Sequence, residues 1–162
     1  MMRTPIIGVM GPAAPTDEVR ELAKELGRGL ALAGFVVLSG GRASGVMEAV
    51  SKGAKSEGGL VVGILPDEDT RDVSEFVDIP IVTGMGNARN NINVLSSDVV
   101  VACGMGAGTA SEIALAIKAG KRVILLAVGE ENEYFFSRLG QVLIAQDVAE
   151  AVRRAVTLLS TR

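Results

Sequence analysis

Short apolar runs alternate along the chain with segments whose apolar residues recur at helical spacing. The runs predict strands, and the last of them is the weakest. Their sequences are PIIGVM, FVVLS, GLVVGILP, FVDIPIV, DVVVACG, RVILLAV and QVLIA. The polar segment DEDTRDVSE and most of the glycine clusters between the runs are predicted to be loops.

Helices are predicted between the strands. The first begins near Thr16, has Asp17 and Glu18 in its first turn, where acidic residues suit the helix dipole, and ends at Gly34. Others cover VMEAVSKGAKSEG, the segment after GMGAGT, and DVAEAVRRAVTLL, while GEENEYFFSRLG is a loop or a short helix. The helix after TGMGN is predicted to place these residues on one apolar face: Met85, Ala88, Ile92 and Leu95.

Strands that alternate with helices predict an α/β fold with right-handed crossovers. We expect a doubly wound, mainly parallel sheet with helices on both faces, in three α/β/α layers. No linker or repeat divides the chain, so residues 1–162 are predicted to form a single ligand-binding domain. In such folds ligands lie beyond the carboxyl ends of the strands, where GPAAP, GGRASG, GMGN and GMGAGT are expected to gather.

Composition supports a tightly packed sheet and adds an expectation about assembly. Hydrophobic residues make up 48% of the chain, aromatic residues only 3%, and there are 20 glycines. Such a core suits a parallel sheet that is buried on both faces. The excess apolar surface, including the helix SEIALAIKAG, predicts a homodimer or homotetramer.

Charge and residue types exclude several classes of function. The net charge is −3 and no basic run occurs, so a nucleic-acid partner is not expected. The chain has no histidine, which excludes a Ser-His-Asp triad, and we expect no metal site. The single cysteine, Cys103, is predicted to be a small buried residue. The amino-terminal run is a poor signal peptide and nothing approaches a membrane span, so the cytoplasm is the expected location.

Two glycine loops, GGRASG and GMGAGT, lead into predicted helices and are candidates for anion binding. Backbone N–H groups at a helix start and the helix dipole favour a phosphate group there. The alternative is that each glycine only permits a tight turn. The spacing matches neither the usual dinucleotide fingerprint nor a P-loop with its lysine, so a standard NAD or ATP site is not supported.

Glu112 and Arg89 each have a functional and a structural interpretation. Thr109 followed three residues later by Glu112 is a capping-box pattern, yet this carboxylate also faces the expected ligand edge. Arg89 is either a solvated surface arginine or a guanidinium directed at phosphate or sugar. Asn90 and its neighbouring asparagines either bind a ligand or form a polar surface.

The motifs resemble the LOG (Lonely Guy), or "possible lysine decarboxylase", family. GGRASGVMEAV is similar to that family's GGxxxGxM loop and helix, and GGLVVGILP to its third strand. ARNNINVLSSDVVVACGMGAGTASEIALA is similar to its Arg-Lys helix, following strand and PGGxGTxxE loop. The resemblance covers most of the chain and is closest to a short bacterial branch that also resembles the molybdenum cofactor carrier proteins.

The resemblance implies a Rossmann-like fold, a homo-oligomer, and a nucleoside monophosphate or phosphorylated pterin at the glycine loops. It implies that Arg89 and Glu112 occupy the catalytic positions of the family's phosphoribohydrolases. Departures concern the activity: Cys103 replaces the usual proline, Met105 lies among the glycines, and Asn90 replaces lysine. The binding residues predicted from the loops and the resemblance together are Gly11, Gly40, Gly41, Arg42, Gly45, Asn90, Gly104, Gly106, Gly108 and Thr109.

The leading hypothesis is a phosphate-ligand-binding protein of the LOG and cofactor-carrier type, with a nucleotide or molybdenum cofactor as ligand and no required cofactor. The alternative is a nucleotide phosphoribohydrolase that releases a free base and ribose 5-phosphate. A nucleotide sensor without turnover is a third hypothesis. Lysine decarboxylase activity is not expected, because nothing in the sequence is typical of a pyridoxal-phosphate site.

Overall fold

The structure, a computed structural model, describes residues 3–160. Its strands are β1 (Ile6–Met10), β2 (Val36–Ser39), β3 (Val61–Leu65), β4 (Ile79–Val82), β5 (Val99–Cys103), β6 (Arg122–Leu126) and β7 (Val142–Ala145). Its α-helices are α1 (Asp17–Leu32), α2 (Gly45–Ser56), α3 (Arg89–Ser96), α4 (Ala107–Lys118), α5 (Glu130–Leu139) and α6 (Val148–Ser160). A short 3₁₀ turn, Gly86–Ala88, precedes α3.

The strands form one sheet in the order β4-β3-β2-β1-β5-β6-β7, and every neighbouring pair is parallel. The chain therefore proceeds outward from β1 to β4, then crosses over β1 to continue on its other side with β5. This reversal is a topological switch point, the place where open α/β sheets bind ligands. The doubly wound, Rossmann-like fold expected from the sequence is confirmed.

Two apolar clusters cover the two faces of the sheet and confirm the three layers. One cluster contains residues of α1, α2 and α6, and the other contains residues of α3, α4 and α5. The strands β1 and β5 contribute to both clusters, because successive side chains point to opposite faces of a strand. The core therefore holds β1 and β5, the strands at the switch point, on both faces.

Helices α1 and α2 approach each other closely because glycines lie at their contact. A Cβ atom on Gly53 would lie 1.9 Å from the backbone oxygen of Lys24, and one on Gly27 would lie 2.1 Å from that of Val50. No side chain fits at either position. Thr16 caps the amino terminus of α1 as expected, because its hydroxyl accepts a hydrogen bond from Val19 N at 3.2 Å.

Of the residues predicted to share one apolar face of the helix α3, Met85, Ala88 and Leu95 are exposed, and only Ile92 packs partly against the core. Leu95 is 54% exposed and Met85 is 50% exposed, whereas Asn93 and Val94 are fully buried. The reason is that α4 offers hydrogen-bonding partners to the inward asparagines, so the polar side of α3 packs inside. The neighbouring edge strand β4 also exposes its apolar side chains. Within residues 3–160, no helix has the length and apolar character needed to span a bilayer.

Candidate functional site

A cavity of about 280 Å³ lies at the carboxyl edge of the sheet, over the switch point between β1 and β5. The loops after β1, β2 and β5 and the start of α3 surround it. Its lining includes these residues of the predicted site, of which Arg89 and Glu112 were predicted to be catalytic and the others to bind the ligand: Gly11, Gly40, Arg42, Arg89, Asn90, Gly106, Gly108, Thr109 and Glu112. The topology therefore brings together residues from four separate segments of the sequence.

Two of the glycines lining the cavity allow the chain to pass close to its neighbours. A Cβ atom on Gly11 would lie 2.5 Å from the carbonyl oxygen of Cys103, and one on Gly40 would lie 2.8 Å from an Nη2 atom of Arg89. A side chain at either position would therefore displace a wall of the cavity. These positions need glycine for reasons of space rather than of backbone angle.

Three of the predicted binding glycines are not among the residues that line the cavity: Gly41, Gly45 and Gly104. Each has a positive φ, and each faces protein atoms instead. A Cβ on Gly41 would meet the backbone of Gly63, and one on Gly45 would meet the carbonyl oxygen of Pro12. These glycines shape the loops that surround the cavity, which is the turn-forming role considered as the alternative.

The amino terminus of α4 points into the cavity without a side-chain cap. Gly106 is the N-cap residue, and no side chain among residues 3–160 accepts a hydrogen bond from the first turn. The capping box predicted from Thr109 and Glu112 is wrong, because α4 begins earlier and Thr109 lies inside its first turn. The Thr109 hydroxyl is buried, lines the cavity and has no hydrogen-bond partner within the described residues.

Glu112 lies one turn further along α4, where it is only 6% exposed. Its Oε1 atom accepts a hydrogen bond of 3.0 Å from Asn93 Nδ2, so its partner is a neutral amide on α3. Burial raises the pKa of the Glu112 carboxyl, while Asn93 and the nearby charge of Arg89 partly oppose that rise. The site therefore favours the protonated carboxylic acid more than an exposed position would.

Arg89 begins α3 and extends across the cavity towards the loop after β2. Its Nη1 atom donates to Asn90 Oδ1 at 2.6 Å, and its Nη2 atom donates weakly to the Gly40 carbonyl oxygen at 3.5 Å. The Nε atom is buried and has no partner among residues 3–160. Burial lowers the pKa of this guanidinium. The group nevertheless remains charged, as arginine side chains do in proteins. The sequence alternative of a fully solvated arginine is therefore wrong.

Asn90 connects α3 to α4, because its Nδ2 atom donates to the Ser111 hydroxyl at 3.1 Å. The same side chain accepts the hydrogen bond from Arg89, so it fixes the guanidinium within the cavity. Arg42, at the cavity mouth, is held by Asp67 through bonds of 3.0 Å and 2.5 Å. The pKa of the Asp67 carboxyl lies below its usual range, chiefly because Arg42 donates these hydrogen bonds.

Sequence reasoning missed several residues of the cavity wall. Pro12, Ser44, Met47 and Asn87 line it but were not predicted to bind. Each lies within or just after one of the four glycine loops, so the expected clustering of those loops was a usable signal. Asp67 was missed as well, because nothing in the polar segment after β3 indicates that it reaches Arg42.

Cys103 ends β5 beneath the cavity and is fully buried, as predicted. Burial raises the pKa of its thiol to about 12, so the thiolate is scarcely formed at neutral pH. The residue therefore supplies packing. The groups that remain for ligand chemistry are the α4 amino terminus, two guanidinium groups and a buried carboxyl, which together suit an anionic ligand.

Comparison with known proteins identifies a family and several solved structures that are similar to this chain. A profile of the SLOG cluster4 family matches residues 4–152. The molybdenum cofactor binding protein of the phototrophic bacterium Rippkaea orientalis is 52% identical, with a TM-score of 0.96 and coverage of 98% of this chain and 99% of that chain. The Moco carrier protein of Chlamydomonas reinhardtii is 51% identical, with a TM-score of 0.93 and coverage of 99% and 100%.

A further relative comes from Archaeoglobus fulgidus. This uncharacterized protein is 50% identical over 121 residues, which span 74% of this chain and 78% of the relative. The similarity to the structures from Rippkaea and Chlamydomonas extends over nearly the full length of both partners in each comparison. It therefore includes all the loops that form the cavity.

Proposed function

Because the chain belongs to the SLOG cluster4 family, we propose that it is a carrier protein that binds the molybdenum cofactor, a phosphorylated pterin. The ligand occupies the cavity above β1 and β5. Two relatives, each with about half of its residues identical to this chain, are named as a binding protein and a carrier protein of this cofactor. In this proposal the whole chain, residues 1–162, acts as one ligand-binding domain that needs no further cofactor.

The observation that carries the proposal is the start of α4. An uncapped helix amino terminus attracts anions, and here the buried Thr109 hydroxyl adds a donor that lacks a partner in the described structure. The ligand phosphate binds to the backbone N–H groups of this first turn and to Thr109. Gly106 and Gly108 leave the backbone accessible to it, and a Cβ atom on Gly108 would meet no atom within 4 Å.

The rest of the cavity suits the body of such a ligand. Arg89 supplies a guanidinium whose Nε atom has no partner in the described structure, and Asn90 orients that group. Pro12 and Met47 provide apolar wall against which a flat heterocycle can pack. Burial raises the pKa of Glu112, so its carboxyl repels an anionic ligand less than an exposed carboxylate would.

The same geometry favours a carrier over a phosphoribohydrolase. Hydrolysis through an oxocarbenium-like state needs an ionised carboxylate near the sugar. Burial of Glu112 disfavours that ionised form, and its fixed partner is an amide rather than a cation. A nucleoside monophosphate such as AMP is therefore expected to be a weaker ligand that is not cleaved, and release of free base from AMP would instead support the enzyme hypothesis.

The test compares Thr109→Val with Thr109→Ser. Valine keeps the shape but removes the hydroxyl, so the affinity for the molybdenum cofactor should fall about tenfold, the scale of one hydrogen bond to a charged group. Protein stability should be unchanged or slightly higher, because the hydroxyl has no partner in the unliganded protein. Serine keeps the donor and should retain most of the affinity. Titration calorimetry under anaerobic conditions measures both variants.

Equal affinity of wild type and Thr109→Val would contradict the proposed phosphate site. Failure of the wild-type protein to bind the cofactor at all would contradict the proposed function itself. Incubation of the protein with AMP, followed by chromatography for free adenine, tests the hydrolase alternative in the same set of experiments.

We also propose that the protein forms a homo-oligomer. The exposed apolar side chains of β4, Met85 and Leu95 give it a surface that a second copy can cover. This surface differs from the helix SEIALAIKAG that the sequence suggested as the contact, since α4 buries Ile113 and Ala116 within the chain itself.

A further inference from the structure

Arg42 and Asp67 form an ion pair at the mouth of the cavity. The two side chains come from the loops after β2 and β3, and two hydrogen bonds of 3.0 Å and 2.5 Å join them. Arg42 lines the ligand cavity, whereas Asp67 is not among its lining residues. The carboxylate therefore holds the guanidinium from outside the cavity.

The pair is partly open to solvent, since the side chains are 40% and 28% exposed. Two hydrogen bonds make this pair stronger than a single surface contact, but water screens its charges and competes for its hydrogen bonds, so it separates at a lower free-energy cost than a buried pair. An anion in the cavity can therefore displace Asp67 from Arg42. The carboxylate that is released remains partly exposed and can be hydrated, so no unpaired buried charge results.

The backbone around Arg42 is fixed, so the exchange needs only side-chain movement. Ala43 N donates to the Asp72 carbonyl oxygen at 2.9 Å, and Ser74 N donates to the Gly41 carbonyl oxygen at 2.9 Å. Arg42 and Val73 form an isolated antiparallel bridge between the same two segments. The guanidinium can turn towards the cavity while its Cα atom stays in place.

From this geometry we propose that Asp67 is an internal competitor for the ligand. It occupies Arg42 in the free protein, and an anionic group of the ligand replaces it when the cavity fills. This inference rests on the proposed function for the identity of the ligand. Asp67 acts as a positioning residue that lowers the affinity of the cavity for the ligand, because it must be displaced from Arg42. The new contact between the ligand and Arg42 offsets part of that loss.

The proposal predicts effects of opposite sign for two variants that break the same ion pair. Asp67→Asn frees Arg42, so the affinity for the molybdenum cofactor should rise several-fold. Arg42→Gln removes the contact, so the affinity should fall about tenfold, as for a charge-assisted hydrogen bond. In the double variant, loss of Asp67 no longer matters, and the affinity should equal that of Arg42→Gln alone.

Control variants separate this exchange from a general change of charge. Arg71 and Asp69 form a nearby exposed ion pair with an Arg71 Nε to Asp69 Oδ2 distance of 2.8 Å, and neither residue is among those that line the ligand cavity. Asp69→Asn and Arg71→Gln change the charge by the same amounts and should alter affinity less than twofold, on the scale of a screened surface charge. Thermal unfolding of every variant checks that the fold is intact.

Titration calorimetry with two ligands, the molybdenum cofactor and pyrophosphate, distinguishes the possible failures. If the cofactor binds but Asp67→Asn does not raise its affinity, or if the two substitutions act additively in the double variant, the exchange is wrong while the proposed function stands. If pyrophosphate shows the opposite-sign pattern and the cofactor does not bind, the exchange stands and the proposed function is wrong.

Discussion

At the scale of single residues, Glu112 links the site to stability. Its pKa is raised in the folded protein, so the native state holds the proton more strongly than the unfolded chain does. The stabilisation from this group is complete below the ordinary value of 4.5 and is lost as the pH rises through the folded pKa. A neutral side chain at this position avoids that loss.

We therefore predict that Glu112→Gln raises the melting temperature at pH 7 and has little effect near pH 4.5. Glutamine can still accept the hydrogen bond from Asn93 through its side-chain oxygen. Thermal unfolding followed by circular dichroism across this pH range measures the difference. Glu150→Gln serves as the control of opposite sign, since hydrogen bonds from the Gln146 backbone and then Arg154 lower the pKa of Glu150. A Glu112→Gln variant that loses stability at pH 7 would contradict the argument.

Sequence reasoning identified most of the residues that line the cavity but not what they contact. Arg89, Asn90 and Glu112 were named from their expected place near the ligand edge of the sheet, and the resemblance to a known family added the catalytic positions of Arg89 and Glu112. The interactions of these residues depend on the packing of α3 against α4, which pairs Asn93 with Glu112. The Thr109 hydroxyl, inside the first turn of α4, has no hydrogen-bond partner within the described residues. The three-residue spacing between Thr109 and Glu112 is the same whether or not the helix begins at Thr109, so the spacing alone could not show that α4 begins earlier.

At the scale of secondary-structure elements, the contact between α1 and α2 makes a graded prediction. Gly53→Ala should destabilise the protein by about 3 kcal/mol, because overpacking against a backbone atom forces the helices apart. Its Cβ would lie 1.9 Å from the Lys24 oxygen, and neither helix backbone can move aside alone. Chemical denaturation measures the free energy of unfolding.

Gly29→Ala is the matched control within α1. Its Cβ would lie 2.8 Å from Val152 Cγ2, a side-chain atom that can shift. Alanine also favours the helix over glycine by about 1 kcal/mol. We expect this substitution to be close to neutral, and equal losses in the two variants would contradict the distinction between backbone and side-chain neighbours.

Strands and helices were predictable from the sequence to a greater extent than their faces. The central strands are buried on both sides, and each predicted apolar run coincides with one of the strands within two residues, except that β4 begins three residues after the start of its run. The strand β4 differs from the central strands, because its apolar residues are exposed at the sheet edge. For α3 the periodicity indicated a real apolar face, but it could not show whether that face meets the core or a second molecule.

At the scale of the whole molecule, the order of the strands creates the site. The resemblance to the LOG and cofactor-carrier proteins is confirmed by the family profile and by close structural relatives. Strand order was not contained in the periodicity, yet the general rule for parallel sheets was enough to predict that the glycine loops meet. The ligand itself could not be predicted from that rule, because the same cavity position serves many chemistries.

The exposed apolar surface predicts an effect on assembly. Leu95→Glu places a charge within the proposed contact and should convert the oligomer to monomers at micromolar concentration, as measured by light scattering after size exclusion. Leu32→Glu is the control, since Leu32 is 69% exposed but belongs to α1, on the opposite face of the sheet. A wild-type protein that is monomeric would refute the proposal, and dissociation by both variants would show that α3 is not its specific contact.

The buried thiol of Cys103 is an intrinsic probe of global unfolding. The chain has one thiol, it sits on a central strand, and its pKa is raised to about 12. A disulfide-exchange reagent should therefore label the native protein only when the sheet comes apart, at a rate that tracks the unfolding equilibrium. Ligand that protects the folded state should slow this labelling in proportion to its occupancy, whereas labelling at the speed of a free thiol would contradict the burial of β5. Measured by absorbance, the rate gives an affinity for colourless ligands without any probe attached to the site.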